Sequence, residues 1–355
     1  MFISILRRVA LPLLMLVALA ACMPAGPNAL VEADDHLMEQ LDDHLTETAP
    51  EQLPEIAPAD LAAGAKLNVV ATTTLVADVA RQVGGDAIDL TVLMPVGVDP
   101  HNYTAAPQDL RTLNDADLIL INGYGLEEPL MPVLGTLDGG APVVSVSAGI
   151  APLLPTEAHD EHQEDEHQGD EHPEDEHHHA ADPHTWLSVP NVQAWVDNIA
   201  TVLAARDPAH DADYGAAAAA YRAELSALDA DLRAQIANLP QERRKLVTDH
   251  DEFGYFAQEY GFEVVGAVIP AVSTLAAASA QELAALQTVI RAEAVPVIFV
   301  GANVNSTLAA QLAADLGIQV VTLNISSLTT ADGPIPDYPT LMRTLVTTVV
   351  DALAP

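Results

Sequence analysis

Cysteine is nearly missing from this 355-residue chain: Cys22 is the only one, so no intramolecular disulfide forms. Aromatic residues are sparse too, at 4%, and charged residues make up only 18%, against 50% hydrophobic. Much of that apolar share is alanine, which favours helix and fills little volume. Helices packed on small sheets are therefore expected, rather than an aromatic core. Basic residues are few: 13 Lys and Arg stand against 51 Asp and Glu, a formal charge of −38. Such a chain repels nucleic acid and anionic membrane surfaces, and cations are its natural partners. Three signatures are also absent. There is no Gly-x-Ser-x-Gly and no His-Glu-x-x-His, and no Gly-x-x-x-x-Gly-Lys to cradle a nucleotide's phosphates.

The first 22 residues explain the lone cysteine. Arg7 and Arg8 precede an apolar run from Val9 to Ala21, too short for a comfortable membrane span, and the run ends Leu19-Ala20-Ala21-Cys22. This resembles a bacterial lipobox, which implies that Cys22 is lipidated and becomes the mature N-terminus. After it, no stretch reaches the roughly 20 apolar residues of a spanning helix. Residues 23–65 are rich in Pro, Ala, Asp and Glu and read as an acidic, flexible tether.

Ordered structure is expected from Lys66. Strands are expected at Leu67–Ala71, Ile88–Met94, Leu118–Asn122 and Val143–Val146, with Thr74 capping a helix that ends at Gly84-Gly85. The rhythm returns after Pro240, with strands at Lys245–Thr248, Glu263–Val268, Val297–Val300 and Gln319–Leu323 and helices between them. Alternating strands and helices imply parallel sheets. Residues 191–240 read as helices restarted at Pro208, with a strut of roughly 30 residues spanning about 45 Å. The expected fold is α/β: an N-terminal lobe at 66–190 and a C-terminal lobe at 241–355, each with a mainly parallel sheet, joined by a long rigid helix.

Three histidines fall at expected strand ends or loops. His101 lies in Asp99-Pro100-His101-Asn102-Tyr103 and His184 in Asp182-Pro183-His184-Thr185-Trp186-Leu187. His250 follows Leu246-Val247-Thr248. Ligands of open α/β sheets bind beyond the carboxyl ends of strands, and three imidazoles there suit zinc, copper or nickel. Proline before His101 and His184 stiffens the turn that aims each ring. Asp99 is a candidate to hold an imidazole tautomer. Tyr103, Trp186, Phe253 and Tyr255 read as packing around the site, and His210 has no assigned role.

These motifs, with Thr72-Thr73-Thr74, Val83-Gly84-Gly85-Asp86, Asn122-Gly123-Tyr124-Gly125-Leu126-Glu127 and Thr248-Asp249-His250-Asp251-Glu252-Phe253-Gly254-Tyr255-Phe256, resemble the zinc- and manganese-binding solute-binding proteins of ABC importers. The resemblance covers about residues 66–355. It implies metal held between two lobes, His101, His184 and His250 as its first three ligands, and permease and ATPase subunits as partners of a monomer on the extracytoplasmic face. It also implies a departure. Ser326, in Leu323-Asn324-Ile325-Ser326-Ser327-Leu328, stands where the family often carries Asp, and Gly301 stands where many relatives carry Glu. Water, Asp332 or Asp337 is left for the fourth position.

Residues 157–179 form an insert in which Asp-Glu-His recurs at 160–162, 165–167, 170–172 and 175–177, with eleven carboxylates, seven histidines and no Lys or Arg. It cannot bury a core and reads as disordered. His159, His162, His167, His172, His177, His178 and His179 make it a low-affinity metal loop, like that of the zinc-specific members. An imidazole-rich site favours Zn2+, and a carboxylate-rich one the alternative Mn2+. The expectation is a zinc-capturing lipoprotein and not an enzyme; the rival classes are a zinc-dependent hydrolase and a surface adhesin.

Overall fold

Leu67-Asn68-Val69-Val70-Ala71 is almost wholly buried, the pattern of a parallel strand covered by helices on both faces. It is β1 (Leu67–Ala71), inside a parallel sheet of order β2-β1-β3-β4 with β2 (Ile88–Val92), β3 (Leu118–Ile121) and β4 (Val143–Ser145). A second parallel sheet has order β6-β5-β7-β8, from β5 (Lys245–His250), β6 (Glu263–Ile269), β7 (Val297–Gly301) and β8 (Gln319–Leu323). The strand order reverses between β1 and β3 and between β5 and β7. Both crevices therefore open beyond the strands' carboxyl ends. This computed structural model describes residues 49–62, 64–137, 140–154 and 181–354, all within one unit, Thr46–Pro355. Cys22, the tether before residue 49 and the insert's seven histidines lie outside the described residues.

Helices α1 (Thr74–Gly84), α2 (Pro107–Asn114) and α3 (Met131–Leu134) serve the first sheet; α6 (Gly254–Tyr260), α7 (Ala280–Glu293) and α8 (Thr307–Leu316) serve the second. The cap of α1 is Thr73, whose side chain accepts from the Val76 N–H, rather than the expected Thr74. Thr74 instead accepts from the Leu328 N–H, 2.9 Å away in the other lobe. Two residues able to cap stood side by side, and tertiary pairing decided between them.

Between the lobes run α4 (Val189–Arg206) and α5 (Asp211–Ile236), separated by a short 3-10 turn, Pro208–His210. The 26 residues of α5 span about 39 Å at 1.5 Å per residue. Tyr214, Ala218, Tyr221, Leu225, Leu228, Leu232 and Ile236 recur every three or four positions and are its buried face. That face meets α1 and α9 (Tyr338–Leu353). One hydrophobic cluster runs from Val69 through Leu225 to Phe299 and Leu345 and is common to both lobes, and each lobe adds a smaller cluster of its own, around Ile119 and around Ile298.

Part of the expected tether is instead built into the N-terminal lobe. Leu53, Ile56, Ala59 and Leu61 pack against the core, Glu51 accepts from the Tyr124 N–H and the Ser145 hydroxyl, and Arg206 donates to the Ala57 carbonyl. Four apolar residues among prolines and acids carry no helical or strand period, which is why the sequence reads as a tether there.

Asp78 of α1 is 2% exposed and accepts from the Tyr338 N–H at the start of α9. Burial pushes its carboxyl up to about 6, against the opposing Tyr338 N–H and Arg81. The unfolded value is about 3.9, so the folded protein holds a proton that the unfolded chain has released, and stability falls as pH rises from about 4 to 6. That shift corresponds to about 3 kcal/mol, more than the 0.3–1 kcal/mol that a charge at a helix N-terminus typically supplies. Asp78→Asn is therefore expected to melt above the wild type at pH 8, with the gap closing by pH 4. A gap independent of pH would show that Asp78 ionises as it does in the unfolded chain.

Candidate metal centre

The three sequence-selected histidines come from three separate segments. His101 sits in a 3-10 turn, Pro100–Asn102, after β2; His184 precedes the turn Thr185–Leu187; His250 is the last residue of β5, two residues beyond the expected strand end. All are buried, at 6%, 2% and 2% exposure. Their side chains converge: Nε2 of His184 is 3.2 Å from Nε2 of His101 and 3.3 Å from Nε2 of His250. Two nitrogens at 2.0–2.1 Å from one tetrahedral ion are about 3.3–3.4 Å apart, so the spacing is that of a shared ion.

Carboxylates set the rings. Asp182 Oδ1 lies 2.8 Å from His184 Nδ1, and Asp249 Oδ1 lies 2.8 Å from His250 Nδ1. Each carboxylate accepts an Nδ1–H and leaves Nε2 with its lone pair facing the centre. The second oxygen of Asp249 accepts from the Gly301 N–H at 2.7 Å, tying β5 to β7 at this point. Asn122 donates to the Pro183 carbonyl at 2.8 Å, and its own N–H is held by Glu127, so the Asn122–Glu127 motif anchors the loop that carries His184. The expected role of Asp99 does not hold. Its Oδ1 takes the His101 backbone N–H, and its Oδ2 takes Asn102 and, across the cleft, Thr274 at 2.7 Å. Asp182, at the same two-residue separation, does reach the ring of His184, so the difference lies in the partners that Asn102 and Thr274 give Asp99.

Burial, with the neighbouring His184 and His250, lowers His101 to about 3, and burial with His250 holds His184 well below its ordinary value. Both are neutral donors far below pH 7. The steep loss of affinity toward pH 5 that a free-histidine value near 6.5 implies is thereby displaced downward. Burial raises Asp182 to about 7, with the His184 N–H opposing it. Burial also pushes Asp249 up, but the His250 and Gly301 bonds outweigh it and hold its carboxyl below the usual range.

Of the four aromatics, Trp186 alone lines the pocket. The Trp186 ring stands edge-on to His184 at 5.2 Å and donates to the Ile325 carbonyl across the lobes; Phe253 is fully buried; Tyr255 donates to Ala151; Tyr103 donates to Asp109. Ser326 and Gly301 line the pocket, whereas Asp337 caps α9 and Asp332 is exposed, and neither lines it. His210 pairs with Asp207, far from the centre in sequence and outside this pocket. The pocket wall instead holds Glu252, which sequence reasoning passed over.

A family model described as zinc-uptake complex component A, periplasmic (ZnuA), matches residues 69–352. The chain is similar to the iron-binding protein YfeA of Yersinia pestis, 31% identical over 80% of this chain and 85% of that one. It is similar to the zinc-binding protein TroA of Treponema pallidum, 36% identical over 68% of this chain and 72% of that one. A solved structure of TroA superposes with a TM-score of 0.70 at 31% identity, over 82% of this chain and all of that one. A manganese ABC transporter substrate-binding lipoprotein, PsaA of Streptococcus mitis, is 30% identical over 69% of this chain and 75% of that one.

Proposed function

This chain belongs to the ZnuA family, and we propose that it captures Zn2+ between its two lobes and delivers it to an ABC importer. The family consists of metal-binding substrate-binding components of ABC transporters, not enzymes, and the hydrolase alternative falls with that. Relatives are named for iron, zinc and manganese, so the ion is decided by the site. The observation that carries zinc is the cluster of His101, His184 and His250, with Nε2 atoms 3.2 and 3.3 Å apart and two rings oriented by carboxylates. In this reading these three are the ligands, since neutral imidazoles select zinc over harder ions.

Manganese is the second reading. It is favoured by the carboxylate of Glu252 in the same pocket wall. The insert, with His159, His162, His167, His172, His177, His178 and His179, supplies weak sites that raise the local metal concentration. Cys22 carries the lipid anchor, and the chain works as a monomer on the extracytoplasmic face beside its permease and ATPase. Among the described residues no helix is long and apolar enough to cross a membrane.

The test is native mass spectrometry of protein purified without added metal, followed by competitive Zn2+ and Mn2+ titration. One tightly held zinc that excess manganese does not displace is expected. Manganese displacing zinc at comparable concentration would overturn the zinc assignment, and no tight divalent ion at all would overturn capture.

A further inference from the structure

Glu252 is 2% exposed, yet its Oε1 has no hydrogen-bond partner among the described residues. It lies just past β5, where the Glu252 N–H donates back to the His250 carbonyl at 2.9 Å, and this tight turn brings the side chain back toward the ring of His250. Its Oε2 is 3.7 Å from His250 Nε2. That is too long for a hydrogen bond and close to the separation of two donors on one ion, about 3.3–3.4 Å for tetrahedral zinc. No Lys or Arg lines the pocket, and Asp99 lines it too. A buried carboxylate without a cation is costly, and an orphaned oxygen adds to that cost. A cation bound among the imidazoles relieves both.

We infer that Glu252 supplies the fourth protein ligand of the metal centre, an oxygen donor brought in from the β5 turn in place of the carboxylate that Ser326 lacks. The inference rests on the three-imidazole reading and extends it. The ion is then held by three nitrogens and one anionic oxygen, which lowers the charge of the loaded site and makes room for harder divalent ions. Glu252 is thus the residue that sets how far the site tolerates manganese beside zinc, since oxygen donors favour the harder ion. Ser326, with a hydroxyl bonded to Asn303, remains part of the wall.

The experiment uses the full chain and two variants, Glu252→Gln and Glu252→Asp. Affinities for Zn2+ and Mn2+ are measured by chelator competition below one equivalent of metal, and X-ray absorption is recorded on the zinc-loaded forms. Glu252→Gln is expected to lose tenfold or more in zinc affinity and more in manganese affinity, raising the zinc-to-manganese ratio. Glu252→Asp keeps the charge but withdraws the oxygen by one methylene, and should lengthen or lose the oxygen distance in the absorption spectrum while the nitrogens stay. Melting of the metal-free proteins shows that each variant is folded. An unchanged affinity ratio together with an unchanged coordination sphere, in whichever variant folds, overturns the inference. Histidine variants that still bind tightly would overturn the three-imidazole reading itself, a separate result.

Discussion

His101→Ala, His184→Ala and His250→Ala are each expected to weaken zinc binding by roughly a hundred- to several-thousandfold. Tight zinc sites have binding free energies of about 10–16 kcal/mol. Spread over three or four protein donors, each donor carries about 3–5 kcal/mol, and 1.4 kcal/mol is tenfold. The three losses should be similar, because each ring is buried and two Nε2–Nε2 spacings are nearly equal. Ser326→Ala removes only a hydroxyl bonded to Asn303 and should change little. Chelator competition with the four variants checks this. A histidine variant that keeps wild-type affinity, or a serine variant that loses it, would mean the centre is assembled from other donors.

Asp182→Ala and Asp249→Ala are expected to lower affinity by about 10- to 100-fold each, the usual effect of removing a carboxylate behind a ligating imidazole. Asp182→Ala leaves the Nδ1–H of His184 without its acceptor, so the ring can turn or change tautomer. Asp249→Ala does the same to His250 and also strips the Gly301 N–H of its partner, so it should cost more stability than Asp182→Ala. Nitrogen NMR of the metal-free protein reads the tautomers directly: the wild type should show Nδ1–H on both rings and each variant a mixture on one. Unchanged tautomers and unchanged affinity in both variants would show that packing alone sets the rings.

Periodicity made most of the scaffold readable. Gln319–Leu323 falls where the sequence places it, since an apolar run bounded by a glycine turn leaves few other solutions. The strand ends were harder. β5 runs on to His250 because parallel pairing with β6 extends to Ile269, a partner that a local pattern does not reveal. The histidines stood out by their motifs. Asp182 and Asp249 did not, although each lies within two residues of its histidine, because an adjacent carboxylate faces either its neighbour's ring or its backbone with equal ease. Asp182 and Asp249 take both the backbone and the ring of their histidines, while Asp99 takes the backbone of His101 and not its ring. Glu252 was hidden in an acidic run, Asp249-His250-Asp251-Glu252, where charge in sequence says nothing of burial in space.

The common core also bears on how the cargo leaves. Swinging the lobes apart would disturb Trp186 and Tyr338, whose bonds cross between them and which bury about 150–250 Å² each, or several kcal/mol per ring. The fastenings at the cleft are far weaker. Thr274 holds Asp99, Ser327 holds Gly97 and Thr74 holds Leu328, each worth about 0.5–1.5 kcal/mol. The cheapest exit is then a lifting of the rim loops at 95–99, 272–278 and 326–328 over a backbone frame that stays shut. Unloading on this frame is a local event, in which three small loops yield while the two sheets and the long helix between them keep their places.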